Sequence, residues 1–282
     1  MKAVESLYSP GRPRNHMEDG HFIKLPFFGV IDGYSAPYNS CDEEKTLVLF
    51  DGLSGGEMVR DTISTAFFSA CSDLPLECVA TDANKEIART QALKGVSLSD
   101  AGCLAGASAV LGKICQDKIT LIQVGDCYAI WLYESGEIGI TENKVFQFDL
   151  KARKNFSRLL KIHNSDRLKT WRDHCSFLAD LRKNHANIDY PILNGQMLFE
   201  EHWQKTEIPL KGLKLLILLT DGFINIERMA DKRRLAKDIL KLFQSEQSLN
   251  GILGAARAAE IMAGQDTHEK HTEATGMAIS FE

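Results

Sequence analysis

Residues 104–143 read LAGASAVLGKICQDKITLIQVGDCYAIWLYESGEIGITEN, and here the period of the chain changes. Four short runs follow one another: LAGASAVLGKI, KITLIQVGD, CYAIWLYE and IGITEN. Each is rich in Val, Ile or aromatic residues, which suit a pleated strand. Gln116-Asp117, Gly125-Asp126 and Ser135-Gly136 separate them with turn chemistry. Connections this short join antiparallel neighbours, so the stretch reads as a meander.

Upstream, GHFIKLPFFGVID (20–32) reads as a strand pair turning near Pro26. Ser54 and Glu57 then form a capping box. Val59, Ile63, Ala66, Phe67 and Ala70 keep helical spacing behind it, and a second helix is expected over roughly 77–93. Downstream, 208–220 reads as strand, 231–244 and 248–263 as amphipathic helices, and 275–281 as a last strand. Strands and helices come in blocks rather than in alternation. That favours an α+β fold with a largely antiparallel sheet.

Between these lies a polar, helix-prone stretch, 147–189. Its bases, among them Lys151, Arg153, Lys154, Arg158, Lys161, Arg182 and Lys183, outnumber Asp166, Asp173 and Asp180. It reads either as a solvated helical insertion or as a basic flap facing an anionic substrate.

At 282 residues and 44% hydrophobic, the chain can bury a sizeable core. A net charge of −5 carries no nucleic-acid footprint. The longest apolar run, LLILL (215–219), is too short to span a bilayer, and the first residues lack an apolar signal region. The seven cysteines form no CxxC pair, which points to free thiols in a reducing compartment rather than a zinc site or disulfide framework. A cytoplasmic monomer without nucleic-acid or membrane partners is expected.

Four acidic spots adjoin apolar runs: Glu18 and Asp19 in HMEDGHF, Asp32 in VIDG, Asp126 in QVGDCY and Asp221 in LLTDGF. Asp and Gly are poor strand residues, so both Asp-Gly pairs are expected where neighbouring central strands stop. Taken singly, each is a common turn. Converging carboxylates repel one another, and a hard divalent cation such as Mg²⁺ or Mn²⁺ resolves that repulsion. A glycine after the aspartate lets a backbone carbonyl approach an ion.

In this order the residues resemble the metal-dependent type 2C Ser/Thr protein phosphatases. The resemblance rests on Arg14 with MED (17–19), IDGYSA (31–36), AGASAV (105–110), VGDCYAIW (124–131), LLTDGF (218–223) and TEATGMAISF (272–281). It spans almost the whole chain, read as one domain over 1–282, with 147–189 as an insertion or flap. It implies a four-layer α-β-β-α sandwich of two mainly antiparallel sheets flanked by helices. It also implies hydrolysis of phosphoserine and phosphothreonine on protein substrates by a water held between two Mg²⁺ or Mn²⁺ ions. By resemblance, Asp32 bridges both ions, the Gly33 carbonyl and Asp221 bind, and Glu18 and Asp19 hold metal-bound waters. Asp126 matches the aspartate that joins a third, weaker ion in some members, and Arg14 the arginine that grips phosphate.

Two positions depart from the family. Tyr34 stands where it has a histidine proposed to protonate the leaving group, and an ordinary phenol is a poor proton shuttle at neutral pH. His16 or His21 could compensate. Thr272 stands at the last metal aspartate, and Glu273, one residue out of register, is the candidate metal ligand in its place; it would need a loop or bulge to serve, and His271, Asp266 and Glu269 are other nearby candidates. These departures leave two alternatives to a protein phosphatase. One is a catalytically weak or inactive pseudophosphatase that acts as a binding or regulatory module. The other is a phosphatase for a small phosphorylated metabolite.

Overall fold

The computed structural model describes residues 2–10, 16–36, 50–197, 203–224, 230–262 and 272–281. Arg14, Cys41, Asp266, Glu269 and His271 lie outside them. Ten strands are described: β1 (Ala3–Ser9), β2 (Asp19–Lys24), β3 (Phe27–Tyr34), β4 (Gly106–Ile114), β5 (Lys118–Val124), β6 (Tyr128–Tyr133), β7 (Ile138–Ile140), β8 (Gln204–Pro209), β9 (Leu213–Leu219) and β10 (Ala274–Ser280). The helices are α1 (Gly55–Ser69), α2 (Leu76–Leu93), α3 (Phe146–Ile162), α4 (Arg167–His185), α5 (Lys232–Glu246) and α6 (Leu249–Met262).

The strands form two sheets, ordered β1-β10-β9-β6-β7 and β2-β3-β4-β5-β8. Every ladder between them is antiparallel. Phe28, Val30, Val110 and Leu121 of one sheet pack against Leu216, Leu218, Met277 and Ile279 of the other. The alternate residues face outward. Phe22, Ile31 and Leu111 meet Val59, Ile63, Phe67 and Ile87 of α1 and α2. Ile130, Ile217 and Leu219 meet Leu235, Ile239 and Ile252 of α5 and α6. The result is the expected four-layer α-β-β-α sandwich. LLILL is continuous because β9 is buried on both faces, with no side left to be polar. No helix among the described residues is long and apolar enough to cross a membrane.

The capping box of α1 is present: Ser54 Oγ accepts from Glu57 N–H, and the Glu57 carboxylate accepts from Ser54 N–H. Cys71, Cys78, Cys103, Cys115, Cys127 and Cys175 are free thiols. Residues 146–185 form two helices, α3 and α4, joined by the short link 163–166 and packed through Phe156 and Trp171, in the stretch read as an insertion.

Three expectations are corrected. The 104–143 stretch is not one meander. β4 and β5 pair in one sheet, β6 and β7 in the other, while β5 also pairs with β8 and β6 with β9. The chain changes sheet at Gly125-Asp126-Cys127. Gly125 N–H donates to the Pro191 carbonyl, so the turn is tied to another segment rather than closed as a hairpin. Next, Asp32 does not end its strand: β3 continues through Gly33 and Tyr34, paired with Ala107 and Gly106. Finally, the two Asp-Gly strands, β3 and β9, are not neighbours in one sheet but lie in opposite sheets.

Candidate active site

Register builds the first part of the site. Asp19 lies directly opposite Asp32, and Asp32 directly opposite Ser108. Directly opposed residues share a face. On β3 that face also carries Phe28 and Val30, so the acidic row caps the apolar row between the sheets. The other sheet contributes by the same parity. Thr220 follows Leu216 and Leu218, and its hydroxyl donates to Asp19 Oδ2 at 2.8 Å. That hydroxyl also accepts from Thr275 N–H at 2.9 Å. Asp221 then opens a short 3₁₀ turn, Asp221–Phe223. A side chain at Gly222 would stand 1.9 Å from the Glu273 carbonyl, so only glycine lets this turn sit so close.

Asp126 arrives from the sheet-crossing turn and accepts a hydrogen bond from Ser108. Gly125 has φ +71°, and a Cβ there would fall 2.0 Å from Ser108 Oγ. Both facts demand glycine.

The electrostatics show how closely these acids sit. Burial pushes Asp32 well above its ordinary value, and the charges of Asp19, Asp221 and Asp126 push it further. Burial, then Glu273, raises Asp19 against the hydrogen bond from Thr220. Asp126 is raised by burial, opposed by the Ser108 hydrogen bond and by Arg182. The Cys127 thiol, fully buried, is raised by burial and then by Asp32, Asp126, Asp19 and Asp221.

A fifth carboxylate was not anticipated. Asp149, in the first turn of α3, is pushed up to about 9 by burial and then by Asp126 and Asp221. Its sequence signal is slight: an acid between Phe148 and Leu150 at the head of a basic helix.

The remaining predicted residues surround this cluster. Glu18, 6% exposed, accepts from Ser35 Oγ at 2.6 Å and Ser54 Oγ at 2.8 Å, which ties it to the head of α1. A side chain at Gly33 would meet the Gly56 carbonyl at 2.5 Å. Glu273 accepts from Tyr8 hydroxyl at 2.8 Å and from the backbone N–H groups of Asp19 and Glu18 at 3.0 and 3.2 Å. Both its oxygens are thus engaged by the 18–19 segment and Tyr8. His16 pairs with Glu57 at 3.0 Å, and His21 lies two residues beyond Asp19, held below its ordinary value by burial. The half-buried ring of Tyr34 lies beneath the guanidinium of Arg182, 3.9 Å from its centroid.

The donors around Asp32 are carboxylate oxygens, the chemistry that a hard divalent cation selects. Their burial and mutual repulsion give such a cation a reason to bind. Among the described residues, no three His, Cys, Asp or Glu side chains already close around one point as ligands.

No family model matches the chain, and no curated protein does. Solved structures do, and they assign the fold: it is that of bacterial serine/threonine phosphatases. Stp1 from Staphylococcus aureus superposes with a TM-score of 0.56 at 14% identity, covering 100% of this chain and 96% of its own. PppA, a regulatory component of the type VI secretion system in Pseudomonas aeruginosa, gives 0.58 at 16% identity over 99% and 97%. The catalytic domain of PstP, solved with two manganese ions, gives 0.55 at 13% identity over 99% and 98%. At these identities the likeness is one of fold.

Proposed function

We propose that the chain is a divergent type 2C phosphatase: a divalent-metal-dependent enzyme that hydrolyses phosphoserine and phosphothreonine on proteins. The whole chain is read as one such domain, with α3 and α4 as its insertion. The observation that carries this is the meeting of Asp19, Asp32 and Asp221, from two sheets, at one end of a sandwich with that fold.

Asp32 is the central ligand, with Asp221 and the Gly33 carbonyl beside it. Mg²⁺ or Mn²⁺ held there supplies Lewis acidity and lowers the pKa of coordinated water. Thr220 fixes the rotamer of Asp19, while Glu273 and Glu18 brace the backbone and the helix head around it. We assign Glu273 to this bracing role. Arg14 supplies a guanidinium for substrate phosphate, where a planar fork and permanent charge suit the task. Tyr34 is raised above an ordinary phenol by burial, so at neutral pH it offers a hydrogen bond and keeps its proton.

The test is p-nitrophenyl phosphate hydrolysis in EDTA, Mg²⁺ and Mn²⁺, with Asp32→Asn alongside. Activity should require the cation and fall at least about 100-fold in the variant, the scale of losing one group that stabilises the transition state. A pseudophosphatase reading draws on the engaged oxygens of Glu273 and on Tyr34. Well-folded protein that never turns over with Mn²⁺ would select it.

A further inference from the structure

We propose that Arg182 is a substrate-contact residue: the α3–α4 hairpin delivers its guanidinium to the rim of the carboxylate cluster, where it binds phosphoryl oxygens of a phosphomonoester. This rests on the phosphatase reading above.

Placement is the first argument. Arg182 occupies the last turn of α4, where a cation is favoured by the negative end of the helix dipole. Its backbone carbonyl accepts from Ala186 N–H, so the side chain leaves from an ordered helix end. The guanidinium stacks over Tyr34, two residues after Asp32, and Nη1 donates to the Ser35 carbonyl at 3.1 Å. A ring face and a carbonyl therefore hold it from two directions. Tyr34 and Phe148 belong to one small apolar cluster with Ala101, Val145, Ala186, Tyr190 and Ile192, which joins the hairpin to the sheet.

Pairing is the second argument. The charge of Arg182 is felt by Asp126, yet Arg182 forms no ion pair with any carboxylate among the described residues. The Ser35 carbonyl is its one hydrogen-bond acceptor there. A guanidinium carries five N–H donors in a planar fork. Among the described residues most of them have no partner, beside a cluster of acids. A fork of this kind matches two oxygens of a phosphoryl group, and stacking on an aromatic ring leaves its donor edges free to do so. A clamp that merely fastened the hairpin would gain most from pairing with Asp126, and this one does not pair.

The test uses the full chain with Mn²⁺ and inorganic phosphate as the probe, read by calorimetric titration and by inhibition of p-nitrophenyl phosphate turnover. Arg182→Gln should weaken phosphate at least about tenfold, as expected for losing a charge-assisted hydrogen bond, and raise KM more than it lowers kcat. Arg182→Lys should recover part of the affinity, because the charge remains without the fork. Lys161→Gln removes one charge from the same hairpin and should leave phosphate affinity unchanged. Thermal melting of each variant reports folding; if Arg182→Gln does not fold, a weakened Arg182→Lys supports the contact and an unchanged one overturns it. Unaltered phosphate affinity in folded Arg182→Gln overturns it, as does equal weakening by Lys161→Gln, or wild-type protein that binds no phosphate. Arg182-dependent phosphate binding without turnover would sink the phosphatase reading and keep the contact. Metal-dependent turnover with Arg182-independent phosphate binding would do the reverse.

Discussion

Asp32, Asp19, Asp126 and Asp149 are all held above the ordinary carboxylate range in the folded chain. The unfolded chain therefore gives up these protons first as pH rises. The stability tied to them is full below their ordinary value of 3.8 and is lost as pH rises through their raised folded values, which for Asp149 is about 9. Calorimetric melting in EDTA should fall across that window, and Mn²⁺ should restore the loss most strongly at the alkaline end. Asp32→Asn removes one of the repelling charges. At pH 8 in EDTA it should melt a few degrees higher than wild type, the equivalent of about 1 kcal/mol in a chain of this length. Glu57 runs the other way. Burial pushes it up, but the N–H groups of Ser54 and Met17 and the His16 ring outweigh this and hold it low, so its contribution is lost as pH falls. Four of the five acids were legible because each adjoins an apolar run, which fixes where it stands. Asp149 was not, since among the bases of a polar helix only the docking of that helix brings it to Asp126. Tyr34 was legible as a departure from the family, but its partner Arg182 lies 148 positions away in sequence, beyond any local pattern.

Helix caps and glycine turns carry the predictions for single elements. Ser54 both caps α1 and donates to Glu18. Ser54→Ala should cost about 1 kcal/mol in urea unfolding, the usual value of a lost N-cap, and also lower Mn²⁺ affinity by loosening Glu18. Gly125→Ala meets both a positive φ and the Ser108 hydroxyl, and should cost about 2 kcal/mol or more. Its Asp126 is displaced with it, so Mn²⁺ titration should report the same variant. The elements themselves were read well where one face is buried, as in α1 and α5. The 104–143 stretch misled because a three-residue link serves equally to reverse a strand or to turn a corner between sheets. The choice is made by the hydrogen bond from Gly125 to Pro191, which local sequence does not contain.

Across the whole molecule, burial is uneven. β9 and β10 are covered on both faces, whereas α3 buries only Leu159 fully, and α4 only Thr170, His174, Cys175 and Ala179. Sub-global opening should follow that division. In hydrogen exchange, amides of α3 and α4 should exchange well before those of β9 and β10, and inorganic phosphate with Mn²⁺ should slow the hairpin selectively. The sheet that holds Asp19 and Asp32 and the sheet whose β9 leads into Asp221 pack face to face and bring these acids together at one end of the sandwich. A cation held between them, as proposed above, would be more than a reagent: it would be a rivet through two plates. Sliding one sheet past the other would shear its ligands apart, so the force needed to part the sandwich, pulled molecule by molecule, becomes a gauge of whether the rivet is in place.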